Sequence, residues 1–305
     1  MKTLSPLFVL IQFLLATHTI ASDYLGEFER LKDSANDKEI RAFLTKSAET
    51  EKANPDYYAT VGNYWWQLSQ SVSITTKPTE GADLSVRDQK SGKEVGSIST
   101  LGQTNPEIPK RALNILSEGV RRFPERADIA LGLAHVQQKM GSQSECVQAL
   151  LKLLAFARKN PELLRWKKND RLPAEANKFI PEAIQGYSAG LYQSGSAESD
   201  ALCASLCDAT IEAFPDHPFA YNIKAALESA AGKQDDALGL LKTAHSKAPN
   251  DPLILLNLGD AYMKANQHTK AKDSYGDVLK LKNIDESLKE QARDAIQNVE
   301  QDGGG

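Results

Sequence analysis

The sequence lacks several features that define large protein classes. Its 305 residues include only three cysteines, 19 glycines and 13 prolines. Glycine and proline at this level exclude collagen-like and low-complexity chains, and three cysteines are too few for a disulfide-built scaffold. The net charge is −4 at pH 7, whereas globally basic nucleic-acid binders need an excess of Lys and Arg to neutralise phosphates. We therefore expect no nucleic-acid partner.

The only long apolar run lies at the N-terminus. Lys2 is followed by apolar residues from Leu7 to Ala16, broken only by Gln12, and Thr19-Ile20-Ala21 places small residues before a cleavage point. This pattern predicts a Sec-type signal peptide over 1–21. A membrane anchor or a buried helix is the alternative, but the run is shorter than the roughly 20 residues that a span requires.

Removal of this segment would leave a chain with no integral membrane segment. The sequence also contains no N-x-[ST] glycosylation site, so we expect a bacterial protein that is periplasmic or secreted.

Cys146, Cys203 and Cys207 are predicted to be small buried thiols in helix interfaces. Cys203 and Cys207 lie four residues apart on a predicted helix, a spacing that suits a disulfide poorly. Whether any of them pair is left open. No Cys/His cluster has zinc spacing, so we predict neither a metal nor a cofactor.

A period of 34 residues organises the C-terminal half of the chain. Tyr221, Lys224, Ala225 and Glu228 recur 34 residues later as Leu255, Leu258, Gly259 and Tyr262, and Ala237 and Leu241 recur as Ala271 and Tyr275. Leu255-x-x-Leu258-Gly259-x-x-Tyr262 followed by Ala271-x-x-x-Tyr275 resembles the tetratricopeptide repeat (TPR) pattern. The resemblance extends from about residue 38 to 283; it is specific in the last two units and degenerate upstream.

This resemblance implies an all-α fold of stacked helical hairpins, a TPR-like solenoid. It also implies binding of a protein or peptide along the concave face formed by the first helix of each repeat. The residues expected on that face are Asn63, Trp66, His135, Gln138, Asn222, Asp260 and Met263. They lack the Lys, Arg and Asn cluster by which some members of the family hold a C-terminal carboxylate, so that mode of binding is not predicted.

One early repeat is interrupted. Trp65 and Ala112 occupy the two helices of one unit, but 38 more residues separate them than the pattern allows. The extra segment, at about 71–104, alternates apolar and polar residues and contains the turn sequence Gln89-Lys90-Ser91-Gly92. We predict a β-hairpin over 82–99, with 72–76 as a possible third strand. Its strand edges could pair with another copy, so the oligomeric state is left open.

The remaining boundaries follow from these elements. N-terminal repeats are predicted over 22–160, an irregular segment or an extra helix over 161–183, and C-terminal repeats over 184–283. A polar amphipathic helix over 284–300 would cap the last repeat. Residues 301–305 are expected to be a flexible tail.

Two other functions deserve comparison with the binding hypothesis. Gly186-Tyr187-Ser188-Ala189-Gly190 matches the G-x-S-x-G motif of serine hydrolases, but that motif needs a strand before the serine, and the preceding residues favour a helix. Glycan binding through exposed aromatic residues such as Trp66 and Tyr192 is the second alternative, although Trp66 could instead pack under the hairpin. The sequence favours a non-enzymatic protein–protein adaptor of the cell envelope.

Overall fold

A computed structural model of the chain describes residues 24–34, 37–80, 82–167, 172 and 176–302. These ranges contain fourteen α-helices and one three-stranded antiparallel sheet. The predicted all-α fold of helical hairpins with a small inserted sheet is confirmed. The predicted signal peptide, 1–21, lies outside the described residues.

The described residues form two compact units, the first within 24–142 and 163–167 and the second within 143–162 and 172–302. They divide between α6 and α7, within the stretch 22–160 that the sequence pattern groups together. The helices of the first unit are α1 (Tyr24–Ser34), α2 (Asp37–Thr50), α3 (Pro55–Ser69), α4 (Leu101–Thr104), α5 (Glu107–Arg122) and α6 (Ala127–Lys139). Its strands are β1 (Val72–Thr75), β2 (Leu84–Arg87) and β3 (Glu94–Thr100).

Helices α3 and α5 form one hairpin on either side of the insertion. Helix α3 begins at Pro55, where the side-chain oxygen of Asn54 accepts a hydrogen bond from the backbone N–H of Asp56 at 3.0 Å, and proline favours this first helical position. A Cβ at Gly62 would lie 2.5 Å from Cγ of Leu116 on α5. The missing side chain of Gly62 therefore lets the two helices approach, as the repeat pattern predicts.

The insertion folds as the predicted hairpin with a third strand. The strand order is β1-β3-β2, with both pairs antiparallel. The β2–β3 turn is stabilised by Asp88, whose Oδ1 accepts hydrogen bonds from the backbone N–H and the hydroxyl of Ser91, each at 2.7 Å. Gly92 follows with φ of 66°, a left-handed conformation that glycine adopts without steric cost.

The described part of the second unit is helical, and it includes the start of a short 3₁₀ turn at Pro161–Leu163. Its helices are α7 (Gln143–Lys159), α8 (Ala176–Ser194), α9 (Ala197–Ala213), α10 (Pro218–Ala230), α11 (Gln234–Lys247), α12 (Pro252–Lys264), α13 (His268–Lys280) and α14 (Glu286–Asp302). Helix α9 packs against α7 and α8, and each later helix packs against the next in sequence.

The start of the C-terminal repeats and the end of the capping helix differ from the bounds that the sequence predicts. Helix α8 begins at Ala176, eight residues before the expected start of the repeats at 184. It contains Pro181, which is the sixth residue of the helix and has no backbone N–H, so one hydrogen bond of the ladder is missing near the start of the helix. Helix α14 includes Gln301 and the backbone of Asp302, which the sequence pattern assigns to the tail. It contributes Ala292 and Val299 to an apolar cluster with Tyr275 and Val278 of α13.

Candidate functional site

Three first helices of the second unit line a groove with a volume of about 250 Å³. The end of α8 provides one residue, and α10 and α12 provide most of the rest. The lining residues are Tyr192, Asn222, Ala225, Ala226, Ser229, Ala230, Leu241, Asn257, Asp260, Ala261 and Lys264. Small side chains form the floor and polar side chains stand above them, so the groove has room for a ligand and groups to orient it.

Small residues at repeat positions create this groove. Ala225 of α10 is fully buried, and Gly259 of α12 lies so close to Tyr275 that a Cβ would be 2.3 Å from its ring. Helix α12 is held at its start by Asp251, whose Oδ1 accepts hydrogen bonds from the backbone N–H groups of Leu253 and Ile254 at 3.0 Å each. Because the second helix packs on the glycine side of α12, the polar residues of α12 face the groove.

Two hydrogen bonds join the side chains of α10 and α12. The amide of Asn257 donates to Oδ1 of Asn222 at 2.9 Å, and Nζ of Lys264 donates to Oγ of Ser229 at 2.7 Å. Each pair is separated by 35 positions. An asparagine side chain carries both a donor and an acceptor, so the Asn222–Asn257 pair retains a donor and an acceptor with which to bind a peptide backbone.

A hydrogen bond from Tyr275 positions the carboxylate of Asp260. The tyrosine hydroxyl donates to Oδ1 of Asp260 at 2.6 Å. Burial, and after it the hydrogen bond to Asp260, raises the pKa of Tyr275, so the hydroxyl stays protonated near neutral pH. The donated proton fixes the orientation of the carboxylate, and Asp260 and Lys264 place opposite charges in one groove.

The first unit has its own groove, with a volume of about 310 Å³, between α1 and α3. It is lined by Phe28, Glu29, Lys32, Asp56, Ala59, Thr60, Asn63, Tyr64, Gln67 and Lys167. Lys167 reaches it from the segment after the 3₁₀ turn. That segment is anchored by backbone hydrogen bonds of Arg165, whose N–H donates to Glu125 O at 2.8 Å and whose C=O accepts from Ala127 N at 3.1 Å.

A buried ion pair positions the start of this first-unit groove. The Arg126 side chain is fully buried, and its Nη2 lies 2.7 Å from Oδ1 of Asp56 and 2.8 Å from Oδ2 of Asp128. Nε of Arg126 donates to Oδ1 of Asp128 at 2.8 Å. Two carboxylates and one guanidinium thus tie the first turn of α3 to the first turn of α6.

The structure distributes the predicted face residues over different environments. Asn222 and Asp260 line the second-unit groove, and Asn63 lines the first-unit groove. Trp66 and His135 contact each other, with ring centroids 5.9 Å apart and nearly perpendicular planes. Burial lowers the pKa of His135, and the nearby charge of Lys139 lowers it further.

Two other predicted residues lie away from these groups. Gln138 is exposed on α6, and Met263 packs against the apolar cluster of α13 and α14. The polar groove residues that the prediction missed include Asn257, Lys264, Lys32 and Lys167. The first two follow Asn222 and Ser229 by 35 residues, so a search at that offset would have found them.

Ser188 lies in the middle of α8, and its side chain is almost fully buried. Its backbone carbonyl accepts a hydrogen bond from the thiol of Cys203 at 3.2 Å. A hydrolase nucleophile sits on an exposed turn between a strand and a helix, and here a continuous helix occupies that position. Ser188 therefore packs inside the helical unit, whereas Gly186 of the same motif is exposed and has no atom within 4 Å of an added Cβ.

Metal sites and membrane spans are two other features considered within the described residues. In these ranges, no three His, Cys, Asp or Glu side chains are grouped so that they could hold a metal ion. No helix within them is both long enough and apolar enough to cross a bilayer.

The groove of the second unit overlaps the part of the chain that matches a known family. Residues 229–283 match the family described as "Tetratricopeptide repeat". No curated protein matches the sequence.

Several solved structures are similar to the chain, two of them titled as TPR proteins. YrrB, titled "a TPR protein with an unusual peptide-binding site", is 15% identical with a TM-score of 0.40, covering 63% of this chain and 86% of its own. A thermophilic TPR protein from Thermus thermophilus, TTC0263, is 16% identical with a TM-score of 0.39, covering 63% of this chain and 92% of its own. MamA from Desulfovibrio magneticus is 15% identical with a TM-score of 0.37, covering 58% of this chain and 86% of its own.

Proposed function

We propose that this protein is a non-enzymatic adaptor that binds a peptide segment of a partner protein in the second-unit groove. The observation that carries the proposal is the row of polar side chains on α10 and α12. Helix α12 and the end of α10 lie within 229–283, the stretch that matches the tetratricopeptide repeat family. Stacked helical repeats commonly use such concave surfaces for binding.

The chemistry of the groove favours an extended peptide. The Asn222–Asn257 pair can donate to and accept from a peptide unit, while Asp260 and Lys264 can pair with charged side chains of either sign. Tyr192 is 39% exposed at one side of the groove and offers an apolar contact. A ligand that combines a polar backbone with one apolar anchor fits this arrangement.

We further propose that the adaptor acts in the cell envelope or outside the cell of a bacterium. The N-terminal pattern of a positive residue, an apolar run and small residues before Ala21 supports export. The net charge of −4 supports a protein partner rather than a nucleic acid.

Selection of peptides from a random display library on the purified chain tests the site. The affinity of a selected peptide is then measured by calorimetry for the wild type and for an Asn257→Ala/Lys264→Ala double variant. Each lost hydrogen bond is worth about 1 kcal/mol, so the double variant should bind at least about tenfold more weakly.

A matched double variant, Asn298→Ala/Lys282→Ala, changes the same residue types at exposed positions outside the groove. It should bind as tightly as the wild type. Equal affinity in both double variants, or no enrichment of any peptide, would contradict the proposal.

A further inference from the structure

The inserted sheet has two faces of opposite character. Side chains alternate between faces along each strand, and the register places Ile74 and Leu84 on either side of Ile98 in one cross-strand row. Val72 and Val86 lie two residues from this row and therefore on the same face. We call these five residues the aliphatic face.

The aliphatic face points to solvent. Val72 is 67% exposed, Ile74 74%, Leu84 63% and Val86 38%. Antiparallel sheets that have one solvated face normally place their polar residues on it and bury their apolar residues. The orientation here is the reverse, and a contiguous exposed aliphatic patch marks a site of association.

On the opposite face two residues of the middle strand, β3, are buried, and the hydrogen bonds of Ser97 explain this orientation of the sheet. Ser97 and Ser99 are at most 1% exposed. Oγ of Ser97 accepts a hydrogen bond from the backbone N–H of Thr79 at 2.7 Å and donates to the carbonyl of Lys77 at 3.3 Å. The segment from Lys77 to Thr79, which follows β1, thus satisfies the hydroxyl of Ser97 on the inner face, so the aliphatic face is left outward in the folded chain.

Charge identifies what can cover this face. The insertion over 71–104 contains four basic and four acidic residues, and none of them occupies a position of the aliphatic face. An anionic membrane surface would favour a basic excess around the patch, which this balance does not provide. An uncharged aliphatic surface suits its own copy, because a two-fold axis brings identical residues together and no like charges then meet.

We propose that two copies of this chain associate by packing their aliphatic faces against each other. Two three-stranded sheets would then form a sandwich, with their aliphatic side chains interdigitating in the space of about 10 Å that separates packed sheets. The interface is small, so the dimer is expected to depend on protein concentration. This surface shares no residue with the second-unit groove, and the two proposals are tested independently.

Sedimentation velocity of the purified chain over a range of concentrations tests the association. The wild type should dimerise, and Ile74→Lys should weaken dimerisation by at least about tenfold, because it brings two buried lysines together. Ser85→Lys on the serine side of the same sheet is the matched control and should dimerise like the wild type. Circular dichroism establishes that each variant is folded.

A monomeric wild type at every concentration would overturn the proposal. So would dimerisation that survives Ile74→Lys in a folded protein, since the contact would then lie elsewhere.

Cross-linking distinguishes contact through this face from pairing of β1 edges. The three native cysteines are at most 3% exposed, so a short bismaleimide should react mainly with an introduced thiol. Packing of the aliphatic faces predicts dimer cross-links for Ile74→Cys and few for Ser73→Cys, whose side chain lies on the other face. Equal cross-linking at both positions would indicate edge pairing and overturn the proposed contact.

Discussion

Two helix pairs in this chain pack in the same way although their connections differ greatly in length. Helices α3 and α5 are separated by residues 70–106, whereas α12 and α13 are separated by 265–267. In both pairs a glycine of the first helix faces a large side chain of the second, Gly62 against Leu116 and Gly259 against Tyr275. Side-chain packing therefore determines which helices pair, since the entropy of closing a loop rises only with the logarithm of its length.

The two units differ in how they tie one first helix to the next. In the first unit a buried guanidinium joins Asp56 near the start of α3 to Asp128 near the start of α6. In the second unit neutral amides join α10 to α12 through Asn222 and Asn257. A buried charge is costly to leave unpaired, whereas a partly exposed amide can bind water instead.

Removal of the buried charge should have the largest effect. Arg126→Ala removes the guanidinium that two largely buried carboxylates share, and we expect it to lower the free energy of unfolding by about 3–5 kcal/mol. Arg122→Ala breaks an ion pair at the protein surface with Glu118 and should cost about 1 kcal/mol or less. Urea unfolding followed by circular dichroism measures both. Similar losses in the two variants would show that burial of the pair does not matter.

Substitution of a glycine at a helix contact should change the free energy of unfolding by an intermediate amount. Gly259→Ala forces a Cβ against the Tyr275 ring, which its hydrogen bond to Asp260 restrains, and we expect a loss of about 1–3 kcal/mol. Gly276 lies on α13 with no atom within 4 Å of an added Cβ. Gly276→Ala should therefore raise stability by about 0.5–1 kcal/mol through helix propensity. Thermal unfolding compares the pair, and shifts of the same sign would contradict this explanation.

Shortening the long connection should have the smallest effect. Replacement of 71–105 by a Gly/Ser linker of about ten residues lowers the loop-closure cost by about 1 kcal/mol, which offsets the packing that the sheet itself supplies. We expect the α3–α5 pair to survive with a net change of about 1 kcal/mol or less. Hydrogen exchange of the α3 and α5 amides measures this directly. Loss of their protection would mean that the sheet is required for the pairing.

The sequence predicts the elements that depend on local pattern. The period of 34 locates the later hairpins, and the mismatch between Trp65 and Ala112 locates the insertion and its strands. Which face of the sheet is buried does not follow from alternation alone. Ser97 is buried because the β1–β2 connection bonds it, and this contact has no sequence signature.

The residues of the candidate site, like the elements of the fold, were predicted in part. Asn222 and Asp260 follow from repeat positions, and both line the second-unit groove. Met263 is also predicted from its repeat position, but the apolar cluster of α13 and α14 covers part of its side chain. Its repeat is the last before the capping helix α14. Lys167 reaches the first-unit groove from a segment with no repeat pattern, and the backbone hydrogen bonds of Arg165 hold that segment in place.

The division into two units gives each one its own intrinsic spectroscopic or chemical probe. All three tryptophans, Trp65, Trp66 and Trp166, belong to the first unit, and all three cysteines belong to the second. Because no thiol is more than 3% exposed, its reaction with a thiol reagent requires the second unit to open. Indole fluorescence and thiol reactivity can therefore follow the unfolding of the two units separately in the unlabelled wild-type chain.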